Sequence, residues 1–459
     1  MSPNGVRAEG VSANRLRPGA PILLLSNGHG EDLSGALIAS ELRARGYRAD
    51  ALPLVGHGRA YDQAAIPLLG RTREYSTGGL GYTSLWGRLT EVVQGQVGYL
   101  LRRLALLFRI AHRYDLVVVV GDVLPVAAAW LSWRPVVTYL VAYSSHYEGR
   151  LKLPWPCGAC LASARFRRVL SRDALTASDL SEQLGRPVEF LGNPFFDAAV
   201  AASEPVAASE PEAATEPLGA GQAPPAPLAP APALPAPALP AQRLGLLPGS
   251  RLPEALHNLE LMLEVLAQLP EHLQQPDQLG LSAALVGRLG PEEVAPLASR
   301  LGWRLDSEAG TITRLRRGPL RLELVWGRFA DVVQHSDLVL SMTGTAAEQA
   351  VGLGKPVLQL VGSGPQFTDN FAEAQRRLLG PSLFCAAGRS GSAEQREGTA
   401  RLLAQLLGDL QRDSALAERC QRNGLERIGA GGGTARIADA VVDEVVGALG
   451  QTAPGGPHG

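Results

Sequence analysis

The run Leu116-Val-Val-Val-Val-Gly121 constrains the fold more than any other part of this chain. Its residues are apolar throughout and mostly β-branched. That suits a strand buried on both faces, and such strands belong to parallel sheets covered by helices on either side. Comparable runs recur at Ile22–Ser26, Val136–Ala142, Arg168–Ser171 and Val188–Leu191, then at Leu244–Leu247, Ser282–Val286, Arg321–Trp326, Leu338–Ser341 and Pro356–Val361. Helical periodicity fills the gaps, as in Glu31–Arg45, where Leu33, Leu37, Ile38 and Leu42 fall on one side. This alternation predicts an α/β chain of two doubly wound, Rossmann-like domains, with a ligand cleft between them at the carboxyl ends of the strands.

Residues 201–242 separate the two sets of runs. The stretch is rich in Ala, Pro and Glu and includes Ala223-Pro-Pro-Ala-Pro-Leu-Ala-Pro-Ala-Pro232, so it reads as an extended, semi-rigid linker. The expected layout is a disordered N-terminus over 1–18, a first domain over 19–200, the linker, a second domain over 243–449 and a disordered tail over 450–459. The last helix, around Thr434–Leu449, is suited to pack on either domain.

The 459 residues carry a formal net charge of -1. The halves differ: residues 1–200 hold 22 Lys+Arg against 16 Asp+Glu, leaving 21 against 28 in the rest. The basic half is a candidate for facing an anionic partner such as a phospholipid surface, and no nucleic-acid partner is expected. Four cysteines are too few for a disulfide scaffold in a chain this long. Cys157-Gly-Ala-Cys160 is a lone C-x-x-C, better read as buried thiols than as a zinc or redox centre. The N-terminus has no apolar signal core and no run of about 18 apolar residues occurs, which points to the cytoplasm.

Three loops carry the chemistry. Leu338–Leu340 runs into Ser341-Met-Thr-Gly-Thr345 and then a helix from Ala346 to Leu353, placing Thr343, Gly344 and Thr345 at a helix N-terminus whose free N–H groups and dipole favour an anion. Glu348 lies one turn in, where a carboxylate can meet a ribose diol. The loop Gly245-Leu-Leu-Pro-Gly-Ser-Arg251 repeats the theme with Gly249, Ser250 and the cationic Arg251. Two phosphate-type loops in one half point to a nucleotide-diphosphate ligand. Gln366, in the loop after Val361, is placed to reach its sugar or diphosphate. No Asp-x-Asp occurs, which argues against a metal-bridged diphosphate.

The third loop is Ser26-Asn-Gly-His-Gly-Glu-Asp-Leu-Ser-Gly35. It departs from G-x-G-x-x-G because position 33 is Leu, and Asp50 precedes the apolar part of the next strand, so a dinucleotide is disfavoured. His29 and Glu31 are candidate catalytic groups; Asp32 suits either a site or a helix cap, and Ser34 is the other candidate cap. Asp122 follows the most apolar strand and is a candidate general base as well as a candidate cap. The segment Tyr82-Thr-Ser-Leu-Trp-Gly-Arg88 leads into an amphipathic helix over Leu89–Arg113, whose apolar stripe includes Leu101, Leu107 and Phe108. Arg102, Arg109 and Arg113 share another face with Leu106, near Tyr99. Such a face suits either solvent or contact with an anionic membrane.

With these residues the chain resembles the lipid-A-disaccharide synthase family, and more closely the proteins related to it. The resemblance is carried by Gly28–Gly35, Gly192-Asn-Pro-Phe-Phe-Asp197, Leu247-Pro-Gly-Ser-Arg251 and Thr343-Gly-Thr-Ala-Ala-Glu348. It implies a GT-B fold and an inverting, metal-independent transfer of a hexosamine-type sugar from UDP to a lipid-linked acceptor at the inner membrane surface. The family's opening loop and central-strand acid appear here in shifted register, as Gly30-Glu-Asp-Leu-Ser-Gly35 and Gly121-Asp-Val-Leu-Pro125. A UDP-sugar epimerase on the same fold and a non-catalytic nucleotide-sugar-binding protein are the alternatives.

Overall fold

The computed structural model describes residues 20–70, 72, 96–201, 240–308, 312–362, 369–389 and 391–450. The chain divides into two compact units, one formed by residues 1–195 with 430–459 and the other by 196–429.

The first unit holds a six-stranded, wholly parallel sheet: β1 (Pro21–Ser26), β2 (Arg48–Pro53), β3 (Leu116–Gly121), β4 (Val136–Leu140), β5 (Phe166–Ser171) and β6 (Glu189–Phe190), in the order β2-β1-β3-β4-β5-β6. The unbroken run of β3 is explained by two cores. Val117 and Val119 face one, with Leu107, Val126 and Leu161, while Val118 and Val120 face the other, with Ile38, Leu42 and Ile437. The helix His29–Ala44 covers that second face. Beside it lies the last helix, Gly433–Gly450, which settles which unit that helix joins. Arg45 and Arg436 secure it: Arg45 Nη2 donates to Ala435 O over 3.1 Å and Arg436 Nε to Leu191 O over 2.7 Å. The sequence pattern ends the second domain at 449, whereas residues 430–450 belong to the first unit.

The second unit holds an eight-stranded sheet built from β7 (Gln242–Leu247), β8 (Leu279–Leu285), β9 (Arg304–Glu308), β10 (Ile312–Arg317), β11 (Leu320–Trp326), β12 (Leu338–Ser341), β13 (Val357–Gln359) and β14 (Leu383–Cys385), ordered β14-β13-β12-β7-β8-β11-β10-β9. Seven strands run in one direction; β10 opposes them, antiparallel to both β9 and β11. This corrects the expectation of a purely parallel sheet. Strands β9 and β10 escape a sequence reading because they are not apolar runs: charged residues alternate with Leu305 and Leu315. Arg314 stands opposite both Asp306 and Glu323, and Arg316 pairs with Asp306 over 2.8 Å.

Several boundaries move. Ala201 still belongs to the helix Pro194–Ala201 and Gln242 opens β7, so both ends of the expected linker are ordered structure, while 202–239 lie outside the described residues. The same holds for 1–19 and 451–459, although Gly450 closes the last helix. Asp50 lies inside β2, buried, accepting from Tyr114 Oη over 2.8 Å and from Arg48; it is a structural carboxylate. Cys157 and Cys160 are buried free thiols, and burial pushes Cys157 up to about 12, so it stays protonated at neutral pH.

Of the long helix expected over Leu89–Arg113, residues 89–95 and the approach from Tyr82 lie outside the described residues. The remainder is an α-helix over Gln96–Ile110 followed by a turn of 3₁₀-helix, Ala111–Arg113. Its faces differ from the expectation. Tyr99 and Leu107 are buried, but Leu101 is 61% exposed and Phe108 51%, flanked by the exposed Arg102 and Arg109. Apolar residues occur nearly all round this helix, so periodicity alone mis-assigns which of them face the core. Among the described residues no helix is long and apolar enough to cross a membrane.

Candidate functional site

Each sheet has one point where the strand order reverses, and there the loops leaving two neighbouring strands diverge and leave a crevice. In the first unit this point lies between β1 and β3, and in the second between β7 and β12. The loops singled out in the sequence leave these four strands.

After β1 come Asn27 and Gly28, and His29 opens the helix two residues before its expected start. After β3 comes Asp122. It caps the helix Val123–Leu131, accepting from Leu124 N over 2.9 Å, and also accepts from Asn27 Nδ2 over 3.0 Å. The capping and site readings of Asp122 are therefore compatible. Burial raises its pKa, opposed by these hydrogen bonds. Glu31 stands close by: burial pushes it up to about 7, with the charge of Asp122 raising it further and that of Arg172 opposing. Buried neighbouring carboxyls cannot all ionise cheaply, so one holds a proton near neutral pH. Gly121 permits the crowding. Its φ is +147°, and a Cβ there would lie 3.6 Å from both Asn27 Cβ and Glu31 Cγ and 3.1 Å from Pro125 Cγ.

Asp32 neither caps the helix nor faces Asp122. It accepts from Ser26 Oγ over 2.6 Å, and Tyr61 Oη donates to that hydroxyl over 3.0 Å, so Asp32 ends a buried chain; burial pushes it up to about 7. Ser34 is buried and makes no cap.

Sequence reasoning misses three neighbours. Asn27 links the two loops. Tyr143, after β4, accepts from Val123 N over 3.1 Å beside Asp122. Arg172, after β5, is buried, donates from Nη1 to Val141 O over 3.0 Å and bears on Glu31. The signal that marks Asp122, a polar residue directly after a buried strand, would also have found Arg172.

In the second unit the loops after β7 and β12 touch: a Cβ on Gly249, whose φ is +110°, would lie 3.6 Å from Met342 O and 4.0 Å from Thr343 Cγ2. Asn258 Nδ2 donates to Pro248 O over 2.8 Å and pins the first loop, and Met342 N donates to Leu247 O over 3.0 Å. Ser341 Oγ meets Thr343 Oγ1 at 2.7 Å. The helix Thr345–Gly352 starts from Gly344, which has no side chain with which to cap it. Ser250 and Arg251 are exposed at the loop tip, while Glu348 is buried in the first turn of that helix. The loop after β13 also converges: a Cβ on Gly362 would lie 2.7 Å from Met342 Cε. Gln366, further along it, lies outside the described residues. Among the described residues no group of three or more His, Cys, Asp or Glu is arranged to hold a metal ion.

No protein-family model matches the chain, and no curated protein does. Among solved structures it is similar to S. aureus MnaA with UDP, at 13% identity over 96% of this chain and 100% of that one, with a TM-score of 0.50. UDP-GlcNAc 2-epimerase from Neisseria meningitidis bound to UDP-GlcNAc is similar at 14% identity, 93% and 99% coverage and a TM-score of 0.49. For CalG4, the calicheamicin glycosyltransferase, the identity is 19%, the coverage 95% and 100%, and the TM-score 0.49. At such identity the likeness concerns the fold. With its two Rossmann-like sheets the chain has the GT-B fold.

Proposed function

We propose that the protein is a UDP-sugar-dependent glycosyltransferase resembling lipid-A-disaccharide synthase, making an inverting, metal-independent transfer of a hexosamine-type sugar to a lipid-linked acceptor. The observation that carries the reading is the division of chemistry between the two switch points: uncapped N–H groups and Arg251 in one unit, and carboxyls with raised pKa in the other. The donor diphosphate would be held by backbone N–H groups at Gly249–Ser250 and Gly344–Thr345 with Arg251 as its fixed charge, while Glu348 meets the ribose and Gln366 the sugar. Preorganised dipoles and Arg251 would stabilise the departing UDP. Asp122 would take the acceptor proton in a single displacement, with Glu31 and His29 as the other candidate groups. The exposed Leu101, Arg102, Phe108 and Arg109 would place the protein on an anionic membrane; sedimentation with phosphatidylglycerol vesicles that is unaffected by charge reversal at both arginines would exclude that contact.

Titration calorimetry with UDP and UDP-N-acetylglucosamine, no metal added, is the first test. Saturable binding lost in Arg251→Ala supports the donor site; no binding to either removes the reading. A UDP-sugar epimerase is the second reading, favoured by Glu31 beside Asp122, a pair suited to act as acid and base. UDP release that requires an acceptor separates the transferase from the epimerase. Binding without turnover would leave a non-catalytic nucleotide-sugar-binding protein.

A further inference from the structure

Asn27 is the sole side-chain bond partner of Asp122 among the described residues, and its amide faces two ways. Nδ2 donates to Asp122 Oδ1. Leu124 N donates to the same oxygen. A carboxylate oxygen only accepts, which turns the NH₂ of Asn27 toward Asp122 and its Oδ1 away. That Oδ1 is closed off from solvent and has no partner among the described residues. A buried acceptor without a donor is costly and uncommon. The side chain lies beside Gly121, where an added Cβ would stand 3.6 Å from Asn27 Cβ. An orphaned amide oxygen and a carboxylate thus lie on neighbouring, hydrogen-bonded groups at the switch point.

We propose that Asn27 is a positioning residue that also contacts the ligand. Its Nδ2 fixes Asp122, and its Oδ1 accepts a hydrogen bond from a donor adjacent to the hydroxyl that meets Asp122. The ligand class is then a ring carrying neighbouring hydroxyl or N–H donors, as opposed to an isolated alcohol. This deepens the transferase reading and rests on it for the role of Asp122, but the hydrogen bond can be tested without turnover.

The test is a ¹³C-carboxyl NMR titration of the full chain, with the Asp122 signal assigned by its loss in Asp122→Asn. The titratable groups that feel Asp122 are Glu31 from the helix His29–Ala44, Tyr143 from the loop after β4 and Cys157 from the helix Cys157–Ala162, with Arg172 bearing on Glu31; all are retained in the variants. Removing a bond that favours the ionised form raises the midpoint, so Asn27→Ala moves Asp122 up by about one pH unit, and Asn27→Ser by less. An unchanged midpoint in either folded variant overturns the positioning role. With dodecyl glucoside and its monodeoxy analogues as acceptor probes, one deletion lowers wild-type kcat/KM about tenfold and costs Asn27→Ala nothing; equal losses in both proteins overturn the ligand contact. Absence of UDP and UDP-N-acetylglucosamine binding would remove the transferase reading while leaving the NMR shift of Asn27→Ala in place, so the two failures are distinguishable.

Discussion

At the switch point of the six-stranded sheet, Glu31 stands between Asp122 and the buried Asp32, and burial drives all three toward the protonated form. At that of the eight-stranded sheet the loops offer Gly249, Ser250, Thr343 and Gly344, with no carboxylate before the buried Glu348 and with the cation of Arg251 outermost. The same topology therefore presents two chemistries. The first is built to hold and release protons, at the expense of ionised carboxylates that water would solvate better. The second is built to receive negative charge, using backbone dipoles that are already oriented when the ligand arrives.

The contrast can be broken at several points. Asp122→Asn keeps the cap to Leu124 and removes the base, so transfer should fall at least about a hundredfold while UDP affinity stays at wild type. UDP-release kinetics beside calorimetry check this, and wild-type turnover would move proton transfer elsewhere. Arg251→Ala removes the one charge of the anion loop and should weaken UDP about 10- to 100-fold with no effect on the acid limb of any pH profile. A loss confined to kcat would mean that the division between units is wrong.

Gly121→Ala sharpens the comparison through strain. At φ +147° a side chain is disfavoured, and the new Cβ would press on Pro125, so denaturant unfolding should show a loss of about 1–3 kcal/mol. An equally large loss at Gly185, where φ is +62° and nothing lies within 4 Å, would show that backbone conformation alone is responsible. A pH-dependent effect concerns Asp32. Its folded pKa of about 7 lies above the ordinary value, so its contribution to stability is present at low pH and lost as pH rises from about 4 to about 7. The unfolding midpoint should therefore fall across that window in the wild type and fall less in Asp32→Asn. Parallel slopes would mean that another group titrates there.

Much of this arrangement can be read from the residues because unbroken apolar strands announce themselves and the loops after them inherit a known position. β3, β7 and β12 are legible directly, and with them Asp122, Gly249 and Thr343. What escapes is whatever alternates or acts at a distance. β9 and β10 hide among arginines because one of their faces is polar. Leu101 and Phe108 look like core residues because the helix is apolar nearly all round. Asn27 and Arg172 share with Asp122 the local mark of a polar residue directly after a buried strand, but which of these residues meet is set only when separate strands come together.

The last helix has a consequence for how the molecule is made. Ile437, Ala438, Val441 and Val445 complete a core whose other members, from Ala20 to Leu170, are encoded far earlier. At roughly 5–20 residues per second a ribosome delivers that helix some tens of seconds after the strands it covers. During that interval residues 196–429 can finish folding while the first-made unit waits with an open apolar trench. The order of completion is thus the reverse of the order of synthesis, and the waiting intermediate is a natural client for a chaperone. On a crowded polysome, the tail of one nascent protein could close the trench of its neighbour, a route to an exchanged dimer.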